Sequence, residues 1–131
     1  MDKKGFSYRD FHPTDVIQIY DTPYSLERVD LTHVATRGTF DNLELWSYEA
    51  IDGVELIDFD QLLEIGFDYI DENTVKYRKA FITLKYNKPY ITIKHDDEEE
   101  EFFDVKYLHE LQSLYYDITN EELIFNIKHK D

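Results

Sequence analysis

A period of two in apolar and polar residues runs through the first half of the chain. Thr14–Tyr20 (TDVIQIY) sets Val16 and Ile17–Ile19 among polar neighbours and predicts a strand. Thr22-Pro23 predicts the turn that interrupts it. Glu27–Ala35 keeps the same period, with Val29, Leu31 and His33 toward one face. Turn signals at Gly38 and Asp41-Asn42 lead to Leu43–Glu49, which alternates through Leu43, Leu45 and Ser47. Asp52-Gly53 predicts a two-residue hairpin into Val54–Ile57. Four short strands at this spacing predict a small curled antiparallel sheet or a partial barrel.

The second half mixes periods. Asp58 is placed as an N-cap, with Gln61 as its capping-box partner, for a short helix Phe59–Ile65 that Gly66 closes. Phe67 and Tyr69 read as a connector. Val75–Tyr86 predicts one strand with a bulge, and Asn87-Lys88-Pro89 turns it into Tyr90–His95, where Ile91 and Ile93 share a face. Asp104 can cap a helix from Val105 to about Ile118, because Val105, Leu108, Leu111, Tyr115 and Ile118 form one apolar stripe. Thr119-Asn120 ends it, and Leu123–Ile127 predicts a closing strand. The expected fold is α+β: one antiparallel sheet, one short helix and one longer C-terminal amphipathic helix. It occupies a single domain, 1–131, with a β-rich N-terminal lobe at 1–57.

Composition narrows the class. Hydrophobic residues make up 42% and aromatic residues 16%, too many for a disordered acidic tail. The chain has no cysteine, which excludes disulfides, thiolate metal sites and cysteine nucleophiles and suits a reducing cytoplasm. The residues Met1–Gly5 offer no apolar signal segment, and no stretch approaches a membrane span.

Charge changes the picture most. The net charge of -15 argues against direct binding to DNA or to an anionic bilayer. Its distribution is uneven: residues 10–72 carry sixteen acids against Arg28 and Arg37, residues 73–95 carry six bases and no acid, and Asp96–Glu101 are six acids in a row with Asp104 close behind. One reading of the basic block is that it neutralises acids nearby in the fold. The other makes it an RNA- or phosphate-contacting strand pair with Tyr77, Tyr86 and Tyr90 as stacking groups.

Chemistry beyond charge is sparse. His12, His33, His95, His109 and His129 form no ligand pattern, and no phosphate loop, nucleophile elbow or dinucleotide fingerprint occurs. An enzyme is therefore not expected, nor a cofactor or a metal. What remains is a binding surface: Asp96, Asp97, Glu98, Glu99, Glu100 and Glu101, with Asp104, as the contact to a protein partner with a basic surface. Fully extended, the six acids would span about 20 Å, with same-face charges about 6.6 Å apart. The competing reading is a solvated loop joining strand to helix. Trp46 and Tyr48 are candidate hot spots for a different, hydrophobic mode of recognition, Trp46 being equally suited to a core.

The long helix also carries a resemblance. Lys106-Tyr107-Leu108-His109-Glu110-Leu111-Gln112 through Leu114-Tyr115-Tyr116 to Thr119 and Glu121-Glu122-Leu123 resembles a C-terminal pattern in an uncharacterised family of small phage and mobile-element proteins. Val54-Glu55-Leu56 and Leu62-Leu63-Glu64-Ile65-Gly66-Phe67 look like a second segment of that family, so the likeness covers roughly 54–125. The family's Gly-Asn-Tyr-Val signature is replaced by Asp15-Val16-Ile17. The resemblance implies a context, a phage-related protein of the host cytoplasm, rather than an activity. His109, Leu111 and Gln112 are in that pattern either a helix signature or a binding site. In that context a small, acidic, cysteine-free chain is similar to anti-CRISPR proteins, in particular to inhibitors of a type VI-B RNA-guided nuclease. The alternative is a non-enzymatic accessory or immunity-type module of a mobile element.

Overall fold

The computed structural model describes residues 6–37, 42–125 and 127. Among them are two five-stranded antiparallel sheets, neither closed into a barrel, and two α-helices. The fold is α+β, with two sheets where the alternation predicted one.

The first sheet begins with β1 (Val16–Ile19) and β2 (Thr22–Val29). Their two-residue turn is Tyr20-Asp21, both at positive φ, and Thr22-Pro23 lies inside β2. Pro23 faces Gln18 at a non-hydrogen-bonded position, and β3 (His33–Arg37) joins β2 only from Leu26 onward. The missing N–H therefore breaks no ladder bond. Glu27–Ala35 is not one strand: β2 ends at Val29 and the chain turns through Asp30–Thr32, leaving Leu31 exposed at the tip. In β4 (Leu43–Ser47) the period of two holds with the opposite phase. Trp46 packs on the core while Leu43 and Leu45 face out, because the larger ring buries more area. After a 3-10 turn at Tyr48–Ala50, β5 (Ile51–Gly53) returns to pair with β1, completing the order β4-β3-β2-β1-β5. Asp52-Gly53 therefore makes no hairpin. Gly53 lacks a side chain where one would overlap the Tyr107 ring. The turn signals at Gly38 and Asp41 lie outside the described residues.

Helix α1 (Phe59–Ile65) has the predicted limits. Asp58 Oδ1 accepts the Gln61 N–H at 3.2 Å, and Gly66 supplies the positive φ of 137° that closes the last turn. The Gln61 amide does not complete a capping box; it donates to Gln18 Oε1 at 3.1 Å.

The second sheet is a meander in chain order: β6 (Asp68–Asp71), β7 (Thr74–Tyr77), β8 (Ala80–Lys85), β9 (Lys88–His95) and β10 (Glu98–Phe102). The Phe67–Tyr69 connector is thus the approach to a strand. Val75–Tyr86 is a hairpin turning at Arg78-Lys79, with Arg78 at positive φ, rather than one bulged strand. The turn after β8 is Tyr86-Asn87, one position earlier than predicted.

Helix α2 (Leu108–Thr119) starts four residues after Asp104. Its first turn is capped from inside, since the Glu110 carboxylate accepts the N–H groups of Tyr107 and Lys106 at 2.9 and 3.0 Å. Asp104 makes no capping hydrogen bond among the described residues. Leu108, Leu111 and Tyr115 of the predicted stripe are buried, Val105 and Ile118 partly so. Asn120 in the left-handed conformation ends the helix as predicted. Leu123–Phe125 follows without strand pairing. Side chains take its carbonyls: Gln112 Nε2 donates to Leu123 O at 2.8 Å and Tyr77 OH to Ile124 O at 2.6 Å.

Two apolar clusters result. The larger joins the second sheet to both helices and to Leu123 and Phe125; the smaller sits on the first sheet around Phe11, Ile17, Ile19 and Leu26. Strand β1 serves both, because Val16 and Ile17 point to opposite faces. The halves are also tied by backbone, with Leu56 N–H donating to Lys106 O and Leu108 N–H to Val54 O.

Candidate functional site

The acidic run is a hairpin and not a loop. Asp96-Asp97 form the tight turn between β9 and β10, both at positive φ (49° and 66°), which aspartate tolerates better than most residues. Glu98–Glu101 are the first four residues of β10, the outer strand of the second sheet. The pairing Glu98↔His95, Glu99↔Lys94, Glu100↔Ile93 and Glu101↔Thr92 divides them between faces. Glu98 and Glu100 share the side of buried Ile93, and Glu99 and Glu101 share the outer side with Lys94 and Thr92. All four are exposed. Asp104 lies past the end of the strand, exposed as well. The seven predicted contact residues are thus one hairpin plus a neighbouring side chain.

Local neutralisation takes only part of this charge. Lys94 Nζ lies 3.4 Å from Glu99 Oε1, and Asp96 Oδ2 lies 3.2 Å from His95 Nε2. No described base reaches ion-pair distance of Glu98, Glu100 or Glu101. Most of the basic block has other partners as well. Lys79 pairs with Glu121 at 2.8 Å; this hydrogen bond raises the Lys79 pKa and lowers that of Glu121. Lys76 and Lys94 lie over the Phe81 ring at 5.2 and 4.8 Å, and Lys85 over Tyr90 at 4.9 Å. Of the three tyrosines proposed as stacking groups, Tyr77 is stacked on Phe125 at 4.3 Å, Tyr90 is covered by Lys85, and Tyr86 stands free at the β8–β9 turn. Trp46 and Tyr48 are both drawn into the smaller cluster. Trp46 Nε1 donates to Thr36 Oγ1 at 3.0 Å, and Tyr48 OH to Asp30 O.

A second feature has no signal in sequence periodicity. A cavity of about 350 Å³ lies between the His12–Asp15 turn, the middle of α2 and Glu122-Leu123. Thr14, next to Asp15, sits at φ 76°. A β-branched residue in that region is strained by roughly 1–3 kcal/mol. Asp15 is 4% exposed. Its Oδ2 accepts the His12 N–H at 2.8 Å and lies 3.9 Å from His12 Nδ1; its Oδ1 accepts nothing from the described residues. Burial pushes this carboxyl up to about 7, the His12 N–H opposes, and Glu122 adds to the rise.

Gln112 forms the cavity's inner wall and is saturated. Its Oε1 accepts Val16 N–H at 2.7 Å, and its Nε2 donates to Thr14 O at 3.0 Å and to Leu123 O. His109 sits among Phe6, Phe11 and Tyr107 at ring distances of 5.4, 4.7 and 5.5 Å, with Nδ1 buried and unpartnered; burial pushes it down to about 4. Both residues thus hold the fold together. His129 lies outside the described residues.

Among the described residues no three His, Asp or Glu side chains converge as a metal site requires, and no helix is long and apolar enough to cross a membrane. Comparison with protein-family models, with curated proteins and with solved structures finds no match to this chain.

Proposed function

We propose that this protein is a stoichiometric binding protein that engages a basic surface of a protein partner through the β9–β10 hairpin and its outer strand. One observation carries the reading. Glu98, Glu100 and Glu101 are exposed on an outer strand and lack basic neighbours within ion-pair reach among the described residues. Carboxylates fixed on a strand are pre-organised, so binding them costs less ordering than binding an acidic loop. Their attraction acts over roughly a Debye length of about 8 Å at physiological salt and would accelerate encounter. The partner class that fits is a nuclease with a basic nucleic-acid channel. The anti-defence resemblance makes this an RNA-guided nuclease of type VI-B, and the protein an anti-CRISPR inhibitor. The accessory-module alternative, with Trp46 or Tyr48 as hot spots, loses support because both rings pack into the smaller cluster.

The test is binding of the guide-loaded nuclease by wild type and by a Glu98→Ser, Glu100→Ser, Glu101→Ser variant over a salt series. The expected result is an affinity loss of about tenfold or more, mostly in the association rate, with a flatter salt dependence. Equal affinity and equal salt slope would remove β10 from the mechanism. Absence of binding by the wild type would remove the nuclease.

A further inference from the structure

The Asp15 cavity is independent of the acidic hairpin. Asp15 is a buried residue whose carboxyl has only one oxygen in a hydrogen bond among the described residues. Its Oδ2 accepts the His12 N–H, no described residue bonds Oδ1, and the residue lines a cavity of about 350 Å³, within the size range of small-ligand sites. The charged groups around the opening, Asp117 and Glu122, are negative, while Pro13, Leu123 and the Tyr116 ring supply apolar walls. An anion is therefore disfavoured. A metal ion is a poor fit as well, since three ligating side chains do not converge among the described residues. The remaining chemistry is a hydrogen-bond donor with positive charge and an aliphatic stem. We propose that this cavity binds the cationic head of a small alkylguanidinium or alkylammonium, held by the Asp15 carboxylate with Glu122 and Asp117 at the rim.

The geometry assigns the parts. The head group donates to Asp15 Oδ1 while Oδ2 keeps the His12 N–H. The stem lies along Pro13, Leu123 and Tyr116. Gln112 takes no direct role, because its amide is saturated by three backbone groups. A cation requires Asp15 ionised, and its pKa in the free protein is about 7. The titratable groups facing it are His12, Tyr116, Asp117 and Glu122.

The experiment titrates the full chain with butylguanidinium, butylammonium and the neutral isostere butylurea, followed by calorimetry and by amide shifts. Either cation is expected to bind with a Kd of about 1 mM at pH 8, given the small number of ligand atoms, and butylurea at least about tenfold more weakly. Affinity should fall about tenfold from pH 8 to pH 6 as Asp15 takes up its proton. Asp15→Asn can still accept the His12 N–H, so its circular dichroism is unchanged while cation binding drops about tenfold or more. His12→Gln should keep both the affinity and its pH dependence. Equal binding of butylurea, no saturable binding of either cation, undiminished binding by Asp15→Asn, or a pH dependence that vanishes only in His12→Gln would each overturn the proposal. A blocked arginine amide separates the sources. Binding as tight as butylguanidinium supports a partner's arginine side chain as occupant, and binding of the free cations alone supports a metabolite.

Discussion

His109 and Asp15 are buried ionisable groups whose pKa values move away from neutrality's usual pattern in opposite senses. His109 is held neutral in its aromatic cage, so between about 4 and 6.5 the unfolded chain binds the proton more readily than the folded one. Its neutral burial is harmless above pH 6.5, and stability is lost as pH falls from there toward 4. Asp15 has the reverse sign: its folded carboxyl holds a proton up to about 7, so stability is lost as pH rises from about 3.8 to 7. Replacing His109→Phe should remove the acid-side loss and keep the ring contacts with Phe6, Phe11 and Tyr107. The urea midpoint, measured at pH 7 and pH 4.5, should then fall less in the variant, by the equivalent of about 2 kcal/mol. An equal fall in both proteins would place the acid sensitivity elsewhere. Neither group is legible in the sequence, where a histidine at a helical position and an aspartate before a strand look solvent-facing. Only the tertiary packing of Phe6, Phe11 and Gln112 around them decides otherwise.

At the level of elements, the helices were legible and the turns were not. Asp58, Gly66 and Asn120 are local signals, and each works within a few residues of itself, so both helix ends of α1 and the end of α2 can be read directly. The start of α2 is not legible locally, because two acids compete for the role and Glu110 reaches back where Asp104 does not. Among the described residues, five two-residue hairpins turn at Tyr20-Asp21, Glu72-Asn73, Arg78-Lys79, Tyr86-Asn87 and Asp96-Asp97, none of which contains glycine, while the glycine-bearing Asp52-Gly53 serves a ring contact instead. Cross-strand burial, which a turn propensity does not contain, fixes these registers. Tyr86 is almost wholly exposed at φ 53°. A Tyr86→Asn, Asn87→Gly variant should therefore gain about 1 kcal/mol by relieving the left-handed strain, read as a higher urea midpoint with an unchanged slope. No gain would mean that the tyrosine makes a contact that offsets the strain.

Over the whole molecule, the decisive contacts join residues far apart in sequence. Gln112 binds the N–H of Val16, the 54–56 segment pairs with 106–108, and the Tyr107 ring closes over Gly53. These joints explain why the acidic strand and the cavity carry different legibility. The run Asp96–Glu101 is contiguous, so its residues could be named from the sequence, although its form as strand and turn could not. The cavity assembles His12–Asp15, the middle of α2 and Glu122 from three separate segments, and no spacing rule connects them. Gly53→Ala tests the joint: the added methyl meets the Tyr107 ring, and the overlap should cost about 1–3 kcal/mol, seen as a lowered thermal midpoint. An unchanged midpoint would show that Tyr107 can swing aside.

The outer strand has a further consequence for crowding with copies of itself. An open sheet edge is ordinarily a template on which a second molecule can add its own edge. Two β10 strands meeting this way would bring eight glutamates, four from each copy, into one ladder at cross-strand distances of about 5 Å. The edge therefore repels its own kind while it stays open to a strand of opposite charge. The same carboxylates that would draw in a basic partner oppose edge-to-edge pairing between copies of the chain.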